Sequence, residues 1–332
     1  MAYLLYRFLA DPLDRAILLT TLTTANYWYL LLALALFMLA VVVHSIKWRL
    51  LLKAQGIGVP LKAVLDYNFV GVFFNNFLPA NVGGDVMRGF GLARYTERGA
   101  EAAVSVIVDR IIGLAAFMFT AVVAAIIAVN IASQGQLAGD ETVIRNLRLV
   151  EAIAAVGMVA IAGGFAVLLS RRLRSLAGRL FQIKLLKALA PLYERLSSAF
   201  GAYRHQYQTL FWAFVLGVVI VLLTGLVDVA IVAGLRGQID PIYIFLFNPI
   251  IAILLIAPVS IGGLGTGSLL YVYFYGLVGV PQTLAFALSL VKQAVIYLGS
   301  LPGGFLWLRR RERRQTGDER GEPESLADMA VR

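Results

Sequence analysis

Cysteine is missing from this 332-residue chain, and its two histidines, His44 and His205, stand far apart. No disulfide or thiolate site can form, and no histidine cluster is available for a metal, so no cofactor is expected. Charge is also scarce: 14% of residues are Asp, Glu, Lys or Arg, against 60% apolar residues and a mean hydropathy of +0.82. That balance excludes an ordinary soluble domain. The apolar runs are continuous and show no ten-residue alternation, which excludes a membrane β-barrel. No phosphate-cradling G-x-x-x-x-G-K-[S/T] run occurs, so direct ATP drive is excluded. Arg7 interrupts the first apolar residues and no small-residue cleavage pattern follows, so no signal peptide is expected.

What remains are several apolar runs of about 20 residues, the length that crosses a bilayer as helix. The expected fold is all-α and polytopic, built of inverted repeats with two broken or re-entrant helical hairpins. That is about five full spans plus the hairpins, or seven to eight spans. Residues 1–26 read as an interfacial segment, 27–308 as the membrane domain, and 309–332 as a basic, then disordered, cytoplasmic tail. Within the domain, half 1 covers 27–131 and half 2 covers 209–308. A connector helix at 152–169 and a basic amphipathic segment at 171–208 lie between them. The first span is expected over Tyr27–Ile46, with Lys47, Trp48 and Arg49 as a basic-aromatic interface border and His44 as an interfacial residue. Residues 131–150 read as a polar loop. The net charge of +10 gathers beside apolar runs, at 47–62, 171–208 and 309–314, which points to anionic headgroups and not to nucleic acid. It places the carboxyl terminus in the cytoplasm and the 131–150 loop outside, in a cytoplasmic (plasma) membrane.

The most informative stretch is Gly71–Arg94, GVFFNNFLPANVGGDVMRGFGLAR. Pro79 stops a short helix, and a second starts after Gly83-Gly84 with Asp85 in its first turn. A near-copy follows 179 residues on: Pro79-Ala80-Asn81-Val82-Gly83-Gly84 aligns with Pro258-Val259-Ser260-Ile261-Gly262-Gly263. With the orientation above, the two copies enter from opposite sides, as in transporters with broken helices. The unwound Gly-Gly backbone and a helix amino terminus suit an anion, and Arg88 adds a fork for phosphate. A local Asp85–Arg88 pair at i,i+3 is the competing reading. On the phosphate-fork reading rests the expectation that Arg88→Lys leaves folding intact and weakens lipid binding. Asp109 and Arg110 lie within a span and point about 100° apart, so each needs a partner elsewhere, with Asp228 and Lys292 as candidates. Asn248, Ser260 and Tyr271, Tyr273 and Tyr275 are cavity or interface candidates.

Asn75-Asn76-Phe77-Leu78-Pro79, Gly83-Gly84-Asp85, Arg88, Arg94 and Val108-Asp109-Arg110-Ile111-Ile112-Gly113-Leu114 resemble the lysylphosphatidylglycerol synthase transmembrane (flippase-like) family, with Lys47-Trp48 and Pro258–Gly265 as further matches. The resemblance runs from about residue 27 to 308. The chain departs from the family's pattern at Ala80 and at Thr266-Gly267-Ser268, where an Arg-Glu pair is common. It ends about 24 residues after the last helix, without the soluble aminoacyl-transfer domain of the two-part enzymes. The resemblance implies a protein that binds and translocates an anionic membrane lipid, a phospholipid or a polyprenyl-phosphate-linked lipid, without being an enzyme. Candidate substrate-binding residues are Asn75, Asn76, Pro79, Asn81, Gly83, Gly84, Asp85, Arg88, Asp109, Arg110, Pro258, Ser260, Gly262, Gly263 and Lys292. A membrane-embedded headgroup transferase or hydrolase using Asp85 or Asp109, and a scaffold for lipid- or glycan-modifying enzyme partners, stay open as alternatives.

Overall fold

A computed structural model describes residues 12–78, 83–134, 141–169, 201–256 and 265–315, and every element in them is helical. The chain order is α1 (Pro12–Thr23), α2 (Tyr27–Ala54), α3 (Leu61–Asn75), α4 (Gly83–Thr96), α5 (Gly99–Gln134), α6 (Glu141–Leu169), α7 (Tyr207–Gly234), α8 (Pro241–Leu254), α9 (Thr266–Gly276) and α10 (Gln282–Gln315). Four of these are long and apolar enough to cross a membrane: Tyr27–Ala54, Gly99–Ile131, Tyr207–Gly234 and Gln282–Arg309. Large apolar side chains such as Leu31, Ile126, Phe211 and Phe305 point outward from them, a surface that suits hydrocarbon and not water. The protein is a polytopic helical membrane protein.

Two groups of four helices share one plan of long, short, short, long. Tyr27 and Tyr207, which start α2 and α7, stand 180 positions apart, as do Leu61 and Pro241, which start α3 and α8. The turns between them match as well. After α2, Gly56 N–H bonds Lys53 O and Ile57 N–H bonds Leu52 O; after α7, Arg236 N–H bonds Ala233 O and Gly237 N–H bonds Val232 O. Both turns need one left-handed residue, Gly56 at φ 71° in the first and Arg236 at φ 54° in the second. Glycine enters this region freely, whereas the Arg236 side chain does so at a cost.

The equivalent helices run in opposite directions. α2 packs along α7, with Asn26 N–H bonded to Gly234 O at one end and Tyr203 Oη bonded to Leu51 O at the other. Burial raises the Tyr203 hydroxyl's pKa, which keeps it a donor to that carbonyl. Each half then lends its first short helix to the other half: α3 packs on α10, and α8 packs on α5. Small residues allow both crossings. A Cβ on Gly303 of α10 would sit 2.0 Å from Phe69 O of α3, so backbone touches backbone there. On α5 the buried Ala121, Ala124, Ala125 and Ala128 form the corresponding small face.

The short helices have 15, 14, 14 and 11 residues. At about 1.5 Å per residue even the longest reaches about 22 Å, short of a hydrocarbon core of about 30 Å. The expected elements differ in two places. α2 continues eight residues beyond Ile46, because Lys47 and Trp48 are buried and do not form an interface border. The segment expected as a loop to residue 150 is helical from Glu141, since Ile144, Val150 and Ala154 share a face turned into the protein. The second glycine motif at 258–263, residues 79–82, most of the 171–208 segment and the residues beyond Gln315 lie outside the described residues.

Candidate functional site

A cavity of about 400 Å³ opens between the two halves, and all eight helices of the two repeats contribute to its wall. Phe37, Leu114, Phe117, Ile220, Ile251 and Leu255 make most of that wall apolar. Its polar groups fall into two clusters, one from each half. A shallower hollow of about 630 Å³ on the outer side of α3 and α10, bounded by Leu61, Phe69, Pro302 and Phe305, is almost wholly apolar and away from these charges.

The first cluster is built around Asp109 of α5. Its carboxylate receives Arg88 Nη2 at 2.7 Å and His44 Nε2 at 2.9 Å, and Lys47 Nζ lies 3.0 Å from Oδ1. The same Arg88 donates through Nε to Asp85 Oδ1 at 2.9 Å, and Arg110 donates to the other oxygen of Asp85. Asp109 and Arg110, adjacent on the helix, thus turn to different partners, as their angular separation requires. Asn68 Nδ2 donates to His44 Nδ1 at 3.2 Å and to Ser45 Oγ at 2.9 Å, which leaves Nε2–H of the ring to face Asp109. The Arg88 guanidinium also lies 4.7 Å from the Trp48 ring centre, and Trp48 Nε1 is tied to Ser105 Oγ at 3.1 Å. Charges this deep persist only with partners on nearly every lone pair, and here four helices supply them.

The second cluster takes the matching place in the other half. Lys292 Nζ reaches Asp228 Oδ2 at 2.8 Å, Tyr271 Oη at 2.6 Å and Asn248 Oδ1 at 3.3 Å. Tyr271 also donates to Asp228 at 3.0 Å. Asn248 stands 180 positions after Asn68. Lys292 stands 183 after Asp109, the same offset as between the starts of α5 and α10. The two clusters are therefore equivalents, with an acid in one where the other has a base.

Several expectations are corrected by this arrangement. His44 is a member of the ion cluster and not a bare interface residue. Lys292 and Asp228 pair with each other and not with Asp109 or Arg110. Arg88 is 2% exposed and bridges two carboxylates at the cavity wall, so the local pair with Asp85 is present and the guanidinium fork is engaged by the protein. Asn75 and Asn76 hold the architecture: Asn75 Oδ1 accepts the Gly84 N–H at 2.8 Å, and Asn76 Nδ2 donates to Ser300 Oγ at 2.8 Å. One of the helix-terminal amides offered to an anion is thus already engaged. Gly83 opens α4, and Gly84 packs against Gly71 so closely that a Cβ would meet its carbonyl oxygen. Tyr271 and Tyr275 are buried, while Tyr273 points outward. Pro79, Asn81, Pro258, Ser260, Gly262 and Gly263 lie outside the described residues. Lys47, His44, Asn68 and Asn248 complete the site. Asn248, expected as a cavity candidate, does line the cavity, whereas Asn68 was not singled out in the sequence, and its offset of 180 from Asn248 was the signal that could have found it. No metal-holding group of three ligands occurs among the described residues.

The model of the lysylphosphatidylglycerol synthase transmembrane region matches residues 2–303. The chain belongs to that family. It is also similar to a UPF0104 membrane protein of Pyrococcus horikoshii, 22% identical over 314 aligned positions that cover 87% of this chain and 89% of the relative. No solved structure matches it. The matched region takes in both halves and both ion clusters, so a lipid-related membrane protein is the class to which the site belongs.

Proposed function

We propose that this chain binds an anionic lipid by its headgroup in the cavity between the halves and carries it across the cytoplasmic membrane. The observation behind this reading is the charge at the cavity wall: Lys47, Arg88, Arg110 and Lys292 line it with Asp85 and Asp109, and Asp228 is buried against Lys292, which leaves one cation in excess in otherwise apolar surroundings. Arg110, with its side chain 36% exposed, and Lys292 are the cations with surface toward the cavity, so the headgroup phosphate is assigned to them. About 400 Å³ holds roughly a dozen molecules at water's 30 Å³ each, room for a headgroup while the acyl chains stay in the bilayer.

The α3–α4 and α8–α9 pairs act as re-entrant hairpins entering from opposite faces, with the carboxyl terminus cytoplasmic. Rocking of the inverted halves then exposes the cavity to each side in turn. A headgroup transferase is the weaker reading, because Asp85 and Asp109 are each held by at least two cations and are poorly placed to take a proton. The test is reconstitution in vesicles with a fluorescent anionic lipid and an impermeant quencher. Wild-type protein should move the lipid between leaflets, and Arg110→Gln should slow it about tenfold, the loss of a charge-assisted contact. A folded protein that neither binds nor moves any anionic lipid would overturn the proposal.

A further inference from the structure

We infer that Asp228 takes up one proton each time the cavity receives an anionic headgroup, so that the protein couples lipid movement to a proton gradient. This rests on the anionic-lipid reading above and adds what drives it.

Lys292 supplies the first observation. Lys292, Tyr271 and Asn248 line the cavity, and Asp228 is fully buried behind them. The three N–H groups of the ammonium are already met, by Asp228 Oδ2 at 2.8 Å, Tyr271 Oη at 2.6 Å and Asn248 Oδ1 at 3.3 Å. A phosphate that reaches Lys292 therefore competes for it with Asp228. One ammonium does not neutralise two anions in apolar surroundings. The phosphate also has Arg110, whereas Asp228 has no second cation among the described residues. The first cluster is better supplied. Asp109 is held by Lys47, Arg88 and His44, and Asp85 keeps Arg88 when Arg110 turns to a phosphate.

A buried carboxylate stripped of its counter-ion is neutralised by a proton. Asp228 Oδ1 is the atom placed to take it, because it has no hydrogen-bond partner. Oδ2 goes on accepting the Tyr271 O–H at 3.0 Å. The Tyr275 hydroxyl, one turn along α9, is also buried and unpartnered, and offers an acceptor for the new acid. The proton comes from water on the side to which the cavity opens. It leaves on the other side when Lys292, still charged, returns to the carboxylate.

The other helices packed on α7 offer no better site. α8 brings Asn248, which does not ionise, and the ionisable wall groups of α2 and α5 are His44, Lys47, Asp109 and Arg110 of the first cluster. His44 Nδ1 already accepts from Asn68, and its Nε2 faces Asp109 beside Arg88 and Lys47. A sodium ion needs several oxygens, and around Asp228 those left open among the described residues are its Oδ1 and the Tyr275 hydroxyl.

The experiment binds dioctanoyl phosphatidylglycerol, a phosphodiester, to the purified full chain by titration calorimetry, in buffers of different ionisation heat and at several pH values. Wild-type protein should take up about one proton per lipid, and its affinity should fall as pH rises, by up to about tenfold per pH unit. Asp228→Asn, which has the shape of the neutral acid, should take up none and bind independently of pH. In vesicles, a pH difference should gather the lipid in the leaflet facing the alkaline side. Where Asp228→Asn does not fold, the wild-type proton count and the vesicle measurement decide. Lipid bound without proton uptake, uptake that persists in folded Asp228→Asn, or movement that follows sodium and ignores pH would sink the coupling and leave the anionic-lipid reading standing. Failure to bind or move any anionic lipid would sink both.

Discussion

Arg88 is the residue on which the first half turns. Its Nε and Nη2 point at two carboxylates on two different helices, and its flat face rests against Trp48. A lysine keeps the charge but gathers its donors on one nitrogen, without the spread fork that places Nε on Asp85 and Nη2 on Asp109. Arg88→Lys should therefore destabilise the protein by about 3 kcal/mol, the scale of breaking a buried ion pair. The measurement is thermal unfolding in detergent alongside lipid retention. A variant that melts with the wild type while losing lipid would instead make Arg88 a ligand-contacting residue. The bland i,i+3 pairing with Asp85 and the long-range role coexist here, since one guanidinium has donors for both.

Among the elements, the crossing of α3 over α10 depends on a missing side chain. At Gly303 an added Cβ would lie 2.0 Å from Phe69 O and 2.9 Å from Val70 N, atoms of a helix backbone that cannot swing aside. Gly163 of α6 has nothing within 4 Å of the same position. Gly303→Ala should cost about 1–3 kcal/mol through overpacking, whereas Gly163→Ala should be neutral or slightly stabilising. Equal melting temperatures for the two variants would show that the helices do not touch there. This contrast marks what the sequence could and could not convey. Element positions were legible because apolar runs, the break at Pro79 and the 179-residue spacing are local or periodic signals. Partners were not. Lys47-Trp48 after an apolar run looks the same whether it meets headgroups or, as here, Asp109 and Ser105 on a helix some 60 residues away. Asp109 and Arg110 announced that they needed partners, but only the packing of α4 against α5 decides that Asp85 and Arg88 provide them.

For the whole molecule, the exchange of short helices between halves sets what must move. α3 belongs to the first half but lies on α10 of the second, and α8 belongs to the second but lies on α5 of the first. If the halves rock, α3 must slide or tilt on α10, because a packed interface of this kind shifts between discrete arrangements. The link between Asn76 Nδ2 and Ser300 Oγ, 2.8 Å long, crosses that interface near the end of α3. Since the chain has no cysteine, Asn76→Cys with Ser300→Cys places one pair there without background. Oxidation should close a disulfide, given that the side chains already meet, and the locked protein should still bind lipid while transport between leaflets stops. Reduction should restore transport. Full transport by the verified disulfide form would mean that α3 and α10 move as one body, and the rocking axis would then have to be sought between α2 and α7.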